Sequence, residues 1–472
     1  MKLARMEILS ETEINQIHEA SCDILASCGV RVFSRRLLDA LAGKGLDIAA
    51  DTGIVRFPRT RLEDALTRTP TRFEMFDREG CPAFVLGDGE SRIAAGHNAV
   101  FWADTENGAR RPSTVADVET FARVCDQLER IDVIGIPVMP QDVPNPKATL
   151  LWAIRAVAEN SRKPIFFSTE SPAVNRSAMA LLAAAFAGDT RSQPYGIGQL
   201  SPTSPLFWEE GAGDALVDTV RAGIPLAILP EPNAGVSAPY SLAGLLTVNN
   251  AECLSGIAMA QLIAPGAKVM YANSWTATDM RSGAALVGST ETSLCRIAGT
   301  QLARHYRVPS HTTAPNSDNH AHDEQNAWEK TLSTFTAVAA GTDLIVNCGM
   351  FATGMTCSHE QLIMDEEISA MSLRIAAGID VSQDAIAADL IKQVGPQGNY
   401  LTTDHTLQRL RGGEFLPPRV SVRGPYALWE AAGAKNTYAL ARERAEALGG
   451  GAPNPIDAIR LARLAEIVAA FQ

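Results

Sequence analysis

Two histidines one residue apart, His320 and His322, lie among the carboxylates Asp318, Asp323 and Glu324 in the stretch APNSDNHAHDEQNAWEK (314–330). A His-x-His pair flanked by acids is ligand chemistry for a hydrolytic metal, in which the ion activates water. Such a site also draws a further His and Asp from other strand ends. Of the remaining histidines, His18, His97, His305, His311, His359 and His405, only His97 and His311 stand where strands are expected to end. No expected strand ends on an Asp in comparable register. Asp318, Asp323 and Glu324 also have a simpler role before a helix, as caps and as partners of its dipole. No metal ligand is assigned, and a metal-dependent hydrolase stays as an alternative.

Other candidates depend on the elements that carry them. Short apolar or β-branched runs predict strands over 93–104, 132–140, 163–169, 195–201, 225–233, 268–275, 309–315 and 343–351. Helical patterns such as KATLLWAIRAVAENS and ETSLCRIAGTQLARHY separate them. Eight strand–helix units in about 260 residues fit an α/β fold of the (β/α)8 TIM-barrel type. A doubly wound open sheet is the rival, but no Gly-rich phosphate turn follows the first strand. The barrel is expected over 93–384, after an N-terminal α+β segment (1–92) and before a C-terminal loop and helical extension (385–472). The first helix is announced by Ser10 and Glu13 in capping-box spacing, with Gly29 as its stop.

Barrels of this kind work at the C-terminal ends of their strands. That rule selects His97, Asn98 and Trp102 after strand one, Glu170 after strand three, Gln199 after strand four, and Glu231 with Asn233 after strand five. It also selects Asn273 and Trp275, the 314–325 loop, and Asn347, Met350 and Phe351. A Trp or Phe near a strand end packs a core just as readily, and an Asn or Gln satisfies loop backbone groups. Glu170 and Glu231 are harder to dismiss, because a carboxylate directly after a buried strand needs a partner.

Composition narrows the classes further. The 472 residues are 46% hydrophobic and 20% charged, with a net charge of −12, which leaves no broad basic surface for nucleic acid or an anionic membrane. No run of 18 apolar residues and no N-terminal apolar region predicts a membrane span or secretion signal. The eight cysteines are scattered without a CxxC pair, as in a reduced, cytoplasmic protein.

Several stretches in order resemble the trimethylamine methyltransferase superfamily, the corrinoid-dependent amine methyltransferases. They are LSETEINQIHEASCDILASCGV near the start, APYSLAGLLTVNNAECLSGIAMAQLIAPGAKVMYANS (238–274) and DMRSGAALVGSTETSL (279–294). SDNHAHDEQNAWEK (317–330), SHEQLIMDEEI (358–368) and GPQGNYLTTDHTLQRLR (395–411) complete the set. The resemblance implies a TIM barrel that passes a methyl group from a methylated amine to the Co(I) corrinoid of a separate protein, with no cofactor tightly bound to this chain. The chain contains no pyrrolysine, so it resembles the branch acting on quaternary amines such as glycine betaine. A methyl transfer to folate stays as a second alternative.

A quaternary ammonium already has a neutral leaving amine, so positioning and electrostatics suffice for transfer. The aromatic residues Phe101, Trp102, Trp275 and Phe351 are expected to hold the cation, with Glu231 balancing its charge. His97, Asn233, Asn273 and His311 are candidate donors to a betaine carboxylate, and Asn347 joins the substrate-binding set. In the 317–330 segment the family pattern favours Asp318 and Gln325 over the two histidines. The corrinoid protein is expected to dock at the barrel mouth, bordered by GPQGNYLTTDH, and the C-terminal helices to support a homo-oligomer.

Overall fold

A computed structural model describes residues 3–104, 108–452 and 455–471. Eight parallel strands close into a barrel in simple sequence order. They are β1 (Arg92–Ala95), β2 (Val133–Gly135), β3 (Ile165–Ser168) and β4 (Gly196–Leu200), then β5 (Leu226–Ile228), β6 (Val269–Asn273), β7 (Ser310–Thr313) and β8 (Leu344–Cys348). The helices that follow them are α1 (Val115–Asp126), α2 (Thr149–Asn160), α3 (Pro172–Ala185) and α4 (Glu210–Ala222). The second half of the ring has α5 (Leu242–Ile263), α6 (Thr290–Tyr306), α7 (Glu324–Ala340) and α8 (His359–Ala377).

Alternation along each strand separates two layers. Ala94, Val133, Phe166, Ile197, Ala227, Met270 and Leu344 form one buried cluster, the barrel interior. Neighbours such as Ile93, Ile165, Ile228 and Tyr271 turn outward into the strand–helix layer. A hairpin of Phe73–Phe76 with Pro82–Leu86 precedes β1, and its Phe73, Met75 and Leu86 join the interior cluster. Gly87 at its end donates to Asp343, just before β8, so the hairpin plugs the N-terminal ends of the strands. The opposite, C-terminal end is left as the mouth.

All eight strands are shorter than their runs, and in three of them the cause is visible. The first run divides: Asn98 has φ 59, and Phe101–Ala103 forms part of a separate small sheet outside the barrel. The fifth stops at Ile228, ahead of Pro230 and Pro232, which cannot donate to a ladder. The eighth bulges at Asn347, with φ 141, before Gly349 turns at φ 95.

The N-terminal helix, Glu11–Ser27, begins with the capping box of Ser10 and Glu13. Its Ser21 accepts a hydrogen bond from Asn250, which also donates to Tyr306 and accepts from Tyr271. This buried polar chain seats the helix on α5, α6 and β6.

The junction of α7, α8 and the end of β8 is fixed by one ion pair. Lys330 and Asp365 meet at 2.9 Å with both side chains fully buried. Lys330 also donates to the carbonyls of Pro315 and Met350, and Asp365 accepts from the Gly349 backbone and the Gln361 amide. Glu366 and Glu367, next in sequence, turn outward. Glu366 pairs with Arg419 and Arg444, and Glu367 accepts from Arg419 backbone and Ser421, which docks the C-terminal extension on α8. Among the described residues no helix is long and apolar enough to cross a membrane.

A buried charge left without its partner is far costlier than the loss of both. Asp365→Ala should lower unfolding free energy by about 3–5 kcal/mol, read from the urea midpoint. Asp365→Ala combined with Lys330→Met should recover part of that loss. Equal midpoints for wild type and Asp365→Ala would show that the pair does not hold this junction.

Candidate functional site

The inward register of the strands carries past the hydrophobic interior into a polar layer at the mouth. Following Phe166 on β3, Ser168 has the same parity, and Glu170 lies two residues beyond. Gln199 follows Ile197 on β4, and Glu231 follows Ala227 and Leu229 after β5. His311 stacks on the Phe166 ring at 5.2 Å, and His97 meets the same ring edge-on at 5.0 Å. Ser168 bridges His97, at 2.9 Å from Nε2, and Asn98, whose amide donates at 2.6 Å. The turn at Asn98 that ends β1 thus also delivers that amide to the site.

Charge at this layer is set by enclosure. Burial lowers His97 to about 4, partly offset by a hydrogen bond with Gln199, and lowers His311 to about 3, helped by His97. Both imidazoles are therefore neutral at physiological pH, each offering one N–H and one lone pair. Desolvation alone, with no charged neighbour, raises Glu231 to about 7 and also raises Glu170. Water reaches both carboxylates, since their accessible fractions are those of exposed residues. For Glu231 the enclosing protein, rather than direct contact, accounts for the shift: the side chain stands in a wet, walled mouth.

Polar atoms at the mouth are left open. His97 Nδ1, both ring nitrogens of His311 and Asn98 Oδ1 have no partner among the described residues. Buried polar groups are ordinarily paired, so such a concentration marks a place for a polar ligand. The C-terminal end of the barrel therefore carries an open carboxylate after β5 and neutral donors and acceptors after β1 and on β7.

Other candidates go elsewhere. Trp102 is fully buried between Phe121 of α1 and His359 of α8, in the helix layer. The Phe101 ring is covered by the Arg110 guanidinium at 4.1 Å on an outer hairpin. Asn273 and Trp275 turn outward against Gly299 of α6, where Asn273 accepts from Thr312. Phe351 packs against His322, away from the interior cluster. Asn347 donates to Asn316, and Asn233 accepts from Thr278 in a rim sheet over the β5–β6 loops. The reason is common to all: strand-end position is visible in sequence, but the face presented depends on where each strand stops.

Asp318 and Gln325 organise the 317–330 loop. Asp318 accepts from the backbones of Val287 and Gly288 and from Thr353, while Gln325 donates to Glu329, which also holds Ser317. Arg296, fully buried, donates to the carbonyls of Val287 and Thr313. These residues lock the loops after β6 and β7 to each other. The histidines diverge: His320 is exposed, and His322 rests on Phe351 and Tyr438. Among the described residues no three His, Cys, Asp or Glu side chains are grouped to hold a metal.

Sequence reasoning picked out Glu170 and Gln199 by position but assigned them no role, and it passed over Ser168 altogether. The alternation through Phe166 and Ile197 was the available signal. His320→Ala should leave stability within about 0.5 kcal/mol and bound-metal content unchanged; stoichiometric metal that disappears with this substitution would restore the ligand reading.

The known proteins agree with this architecture. The family model described as trimethylamine methyltransferase (MTTB) matches residues 1–470. The trimethylamine methyltransferase MttB of Desulfitobacterium hafniense (strain DSM 10664 / DCB-2) is 30% identical over 462 residues, covering 97% of this chain and 92% of its own. The glycine betaine methyltransferase of D. hafniense (strain Y51) is 30% identical over 431 residues, covering 90% of this chain and 89% of its own. The crystal structure of Methanosarcina barkeri monomethylamine methyltransferase (MtmB) superimposes with TM-score 0.53 at 13% identity, covering 94% of this chain and 89% of that one, which is a likeness of fold. Sequence match and barrel together assign the chain to the trimethylamine methyltransferase family of methyltransferases.

Proposed function

We propose that this protein transfers a methyl group from a quaternary ammonium compound, glycine betaine or a related betaine, to the Co(I) corrinoid of a separate protein. The observation that carries the reading is Glu231, a solvent-accessible carboxylate at the barrel mouth that has no partner or charged neighbour among the described residues. A trimethylammonium group supplies the missing positive charge and donates no hydrogen bond, so a solvated carboxylate with no competing cation suits it. The neutral imidazoles of His97 and His311 offer N–H groups to the carboxylate of a betaine.

The expected aromatic box is replaced in this reading. Trp102, Trp275, Phe101 and Phe351 are committed to packing, so charge pairing takes the larger share of cation recognition. Glu170 would add a second negative charge near the mouth.

In the transfer the carbon–nitrogen bond breaks, and the amine leaves neutral with the bonding pair. The two electrons of the new carbon–cobalt bond come from Co(I), which ends as Co(III). No proton is moved, and none of this chain's groups need act as an acid. Its task is to fix the ammonium with one methyl directed out of the mouth.

Access by a protein-borne acceptor is supported at the rim. Val236, Tyr240 and Met280 are exposed there, and Tyr240 and Met280 converge on Gly235, four residues beyond Glu231. This apolar lip is of the kind that protein partners cover.

Incubation with Co(I) cobalamin and a panel of quaternary amines should produce methyl-Co(III), followed by absorbance. Calorimetric binding of a betaine without turnover on cobalamin or any corrinoid protein tested would instead indicate a binding protein. Glu231→Gln should weaken binding of the active amine at pH 8 about tenfold, about 1.4 kcal/mol, with the same fold and melting temperature.

The sign of the pH dependence follows from Glu231. Its carboxylate form binds the cation, so affinity is full above about 7 and is lost as pH falls through that value. Titration calorimetry over roughly three pH units centred on the shifted value should show this slope in wild type and a flat profile in Glu231→Gln. A slope that survives the substitution would assign the titration to another group.

A further inference from the structure

Ser168 stands among three polar side chains of the mouth, and its single hydrogen decides where theirs go. It is the last residue of β3, and the ladder sets it directly beside Gln199 of β4. Its hydroxyl oxygen accepts from the Asn98 amide at 2.6 Å and lies 2.9 Å from Nε2 of His97. A serine hydroxyl has one hydrogen to give. Asn98 is already donating, and among the described residues the side chain has no third partner, so that hydrogen goes to Nε2.

The one proton of the neutral His97 ring is then on Nδ1. That nitrogen is buried and makes no closed hydrogen bond in the resting geometry. Bonds of this kind are often long until a ligand is present. The group that answers it is Gln199, whose hydrogen bonding favours a proton on this ring. A carboxamide does that only through its carbonyl oxygen, so Oε1 faces His97 and the NH2 end turns away from it. The Gln199 amide has no other partner among the described residues, and 8% of the residue stays exposed. His311 differs: neither of its ring nitrogens is bonded, so nothing fixes its proton.

We propose that Gln199 recognises the anionic end of the substrate, and that Asn98, Ser168 and His97 act as positioning residues for its amide. Donation runs in one direction, from Asn98 Nδ2 to Ser168 Oγ, from Ser168 to His97 Nε2, and from His97 Nδ1 to Gln199 Oε1. The Gln199 NH2 group then donates to a carboxylate oxygen, a charge-assisted bond. Every donor in the chain has an acceptor, and the bonds polarise one another in the same sense. His97 thus serves the ligand through Gln199. This part of the mouth can only donate, which selects a carboxylate over an uncharged or cationic tail. The identity of the ligand rests on the quaternary-amine reading; the direction of the chain does not.

Nitrogen NMR of the imidazole rings in the full chain, without ligand, reads that direction, because protonated and unprotonated ring nitrogens resonate far apart. His97→Gln assigns the signal among the eight histidines. Wild type should carry the proton on Nδ1. Ser168→Ala should lose this preference, and Ser168→Thr, which keeps the hydroxyl, should retain it. A wild-type ring protonated at Nε2, or a Ser168→Ala spectrum identical to wild type, overturns the chain.

Calorimetry with glycine betaine and with tetramethylammonium, which has no carboxylate, reads Gln199 itself. Gln199→Leu and the isosteric Gln199→Glu should each weaken betaine about fivefold or more, the scale of one net hydrogen bond. Tetramethylammonium should still bind both variants, which also checks that they fold. Equal loss of the two ligands in both variants, or loss of neither, overturns the role of Gln199. Wild type that binds neither ligand yet carries the proton on Nδ1 would refute the quaternary-amine reading and support the donor chain.

Discussion

The buried pair of Lys330 and Asp365 is the constraint from which the rest of this structure is organised. Two charges fully removed from water are tolerable only with good geometry and satisfied remaining lone pairs and protons. Here Lys330 also meets the carbonyls of Pro315 and Met350, and Asp365 the backbone of Gly349 and the amide of Gln361. One arrangement of α7, α8 and the chain after β8 meets these demands together. Met350, held through its carbonyl, in turn accepts the backbone N–H of His97 at the mouth. A buried charge pair in the helix layer is thereby two bonds from the site.

That chain of contacts explains why the segments shared with the family are mostly scaffolding. SDNHAHDEQNAWEK supplies Lys330 and the loop locks Asp318 and Glu329, and SHEQLIMDEEI supplies Asp365, Gln361 and the anchors Glu366 and Glu367. NNAEC within α5 supplies Asn250 to the N-terminal helix and Glu252 to the loop after β4. Burial raises Glu252 to about 7, yet its carboxylate is fully engaged by Ser204 and the Leu206 backbone. A shifted pKa alone does not distinguish it from Glu231; the absence of a partner for Glu231 among the described residues does. Family signature and reactive surface are therefore different residue sets in this barrel.

The two ends of the barrel divide their tasks. The N-terminal ends are closed by the Phe73 and Met75 hairpin, while the C-terminal ends present neutral imidazoles and open carboxylates. A site built from neutral donors and enclosed acids attracts cations without needing any single deep charge pair. The low-dielectric wall around Glu231 strengthens that attraction, at the cost of making it depend on pH near neutrality.

The sequence by itself determined the repeating units and their order, but not where each strand would stop. Eight apolar or β-branched runs became eight barrel strands, because a parallel strand covered on both faces is mostly apolar; β7, with His311, is the departure. The capping box at Ser10 and Glu13 formed as spaced, since capping is local chemistry. Glu231, His97 and His311 were likewise legible as strand-end residues. Only the tertiary structure decided which strand-end residues face inward. Asn98 at φ 59 and the bulge at Asn347 break the two-residue period, so Trp102 and Phe351 leave the barrel lining. Asn273 and Trp275 fall on the outward parity of β6, a choice fixed by Met270 and Ala272 entering the interior. Likewise, whether Asp318 would meet a ligand or the Val287 and Gly288 backbone depended on a loop about thirty residues away in sequence. Local pattern fixes elements because their hydrogen bonds are local; a site is made of long-range contacts, which only the closed barrel brings together.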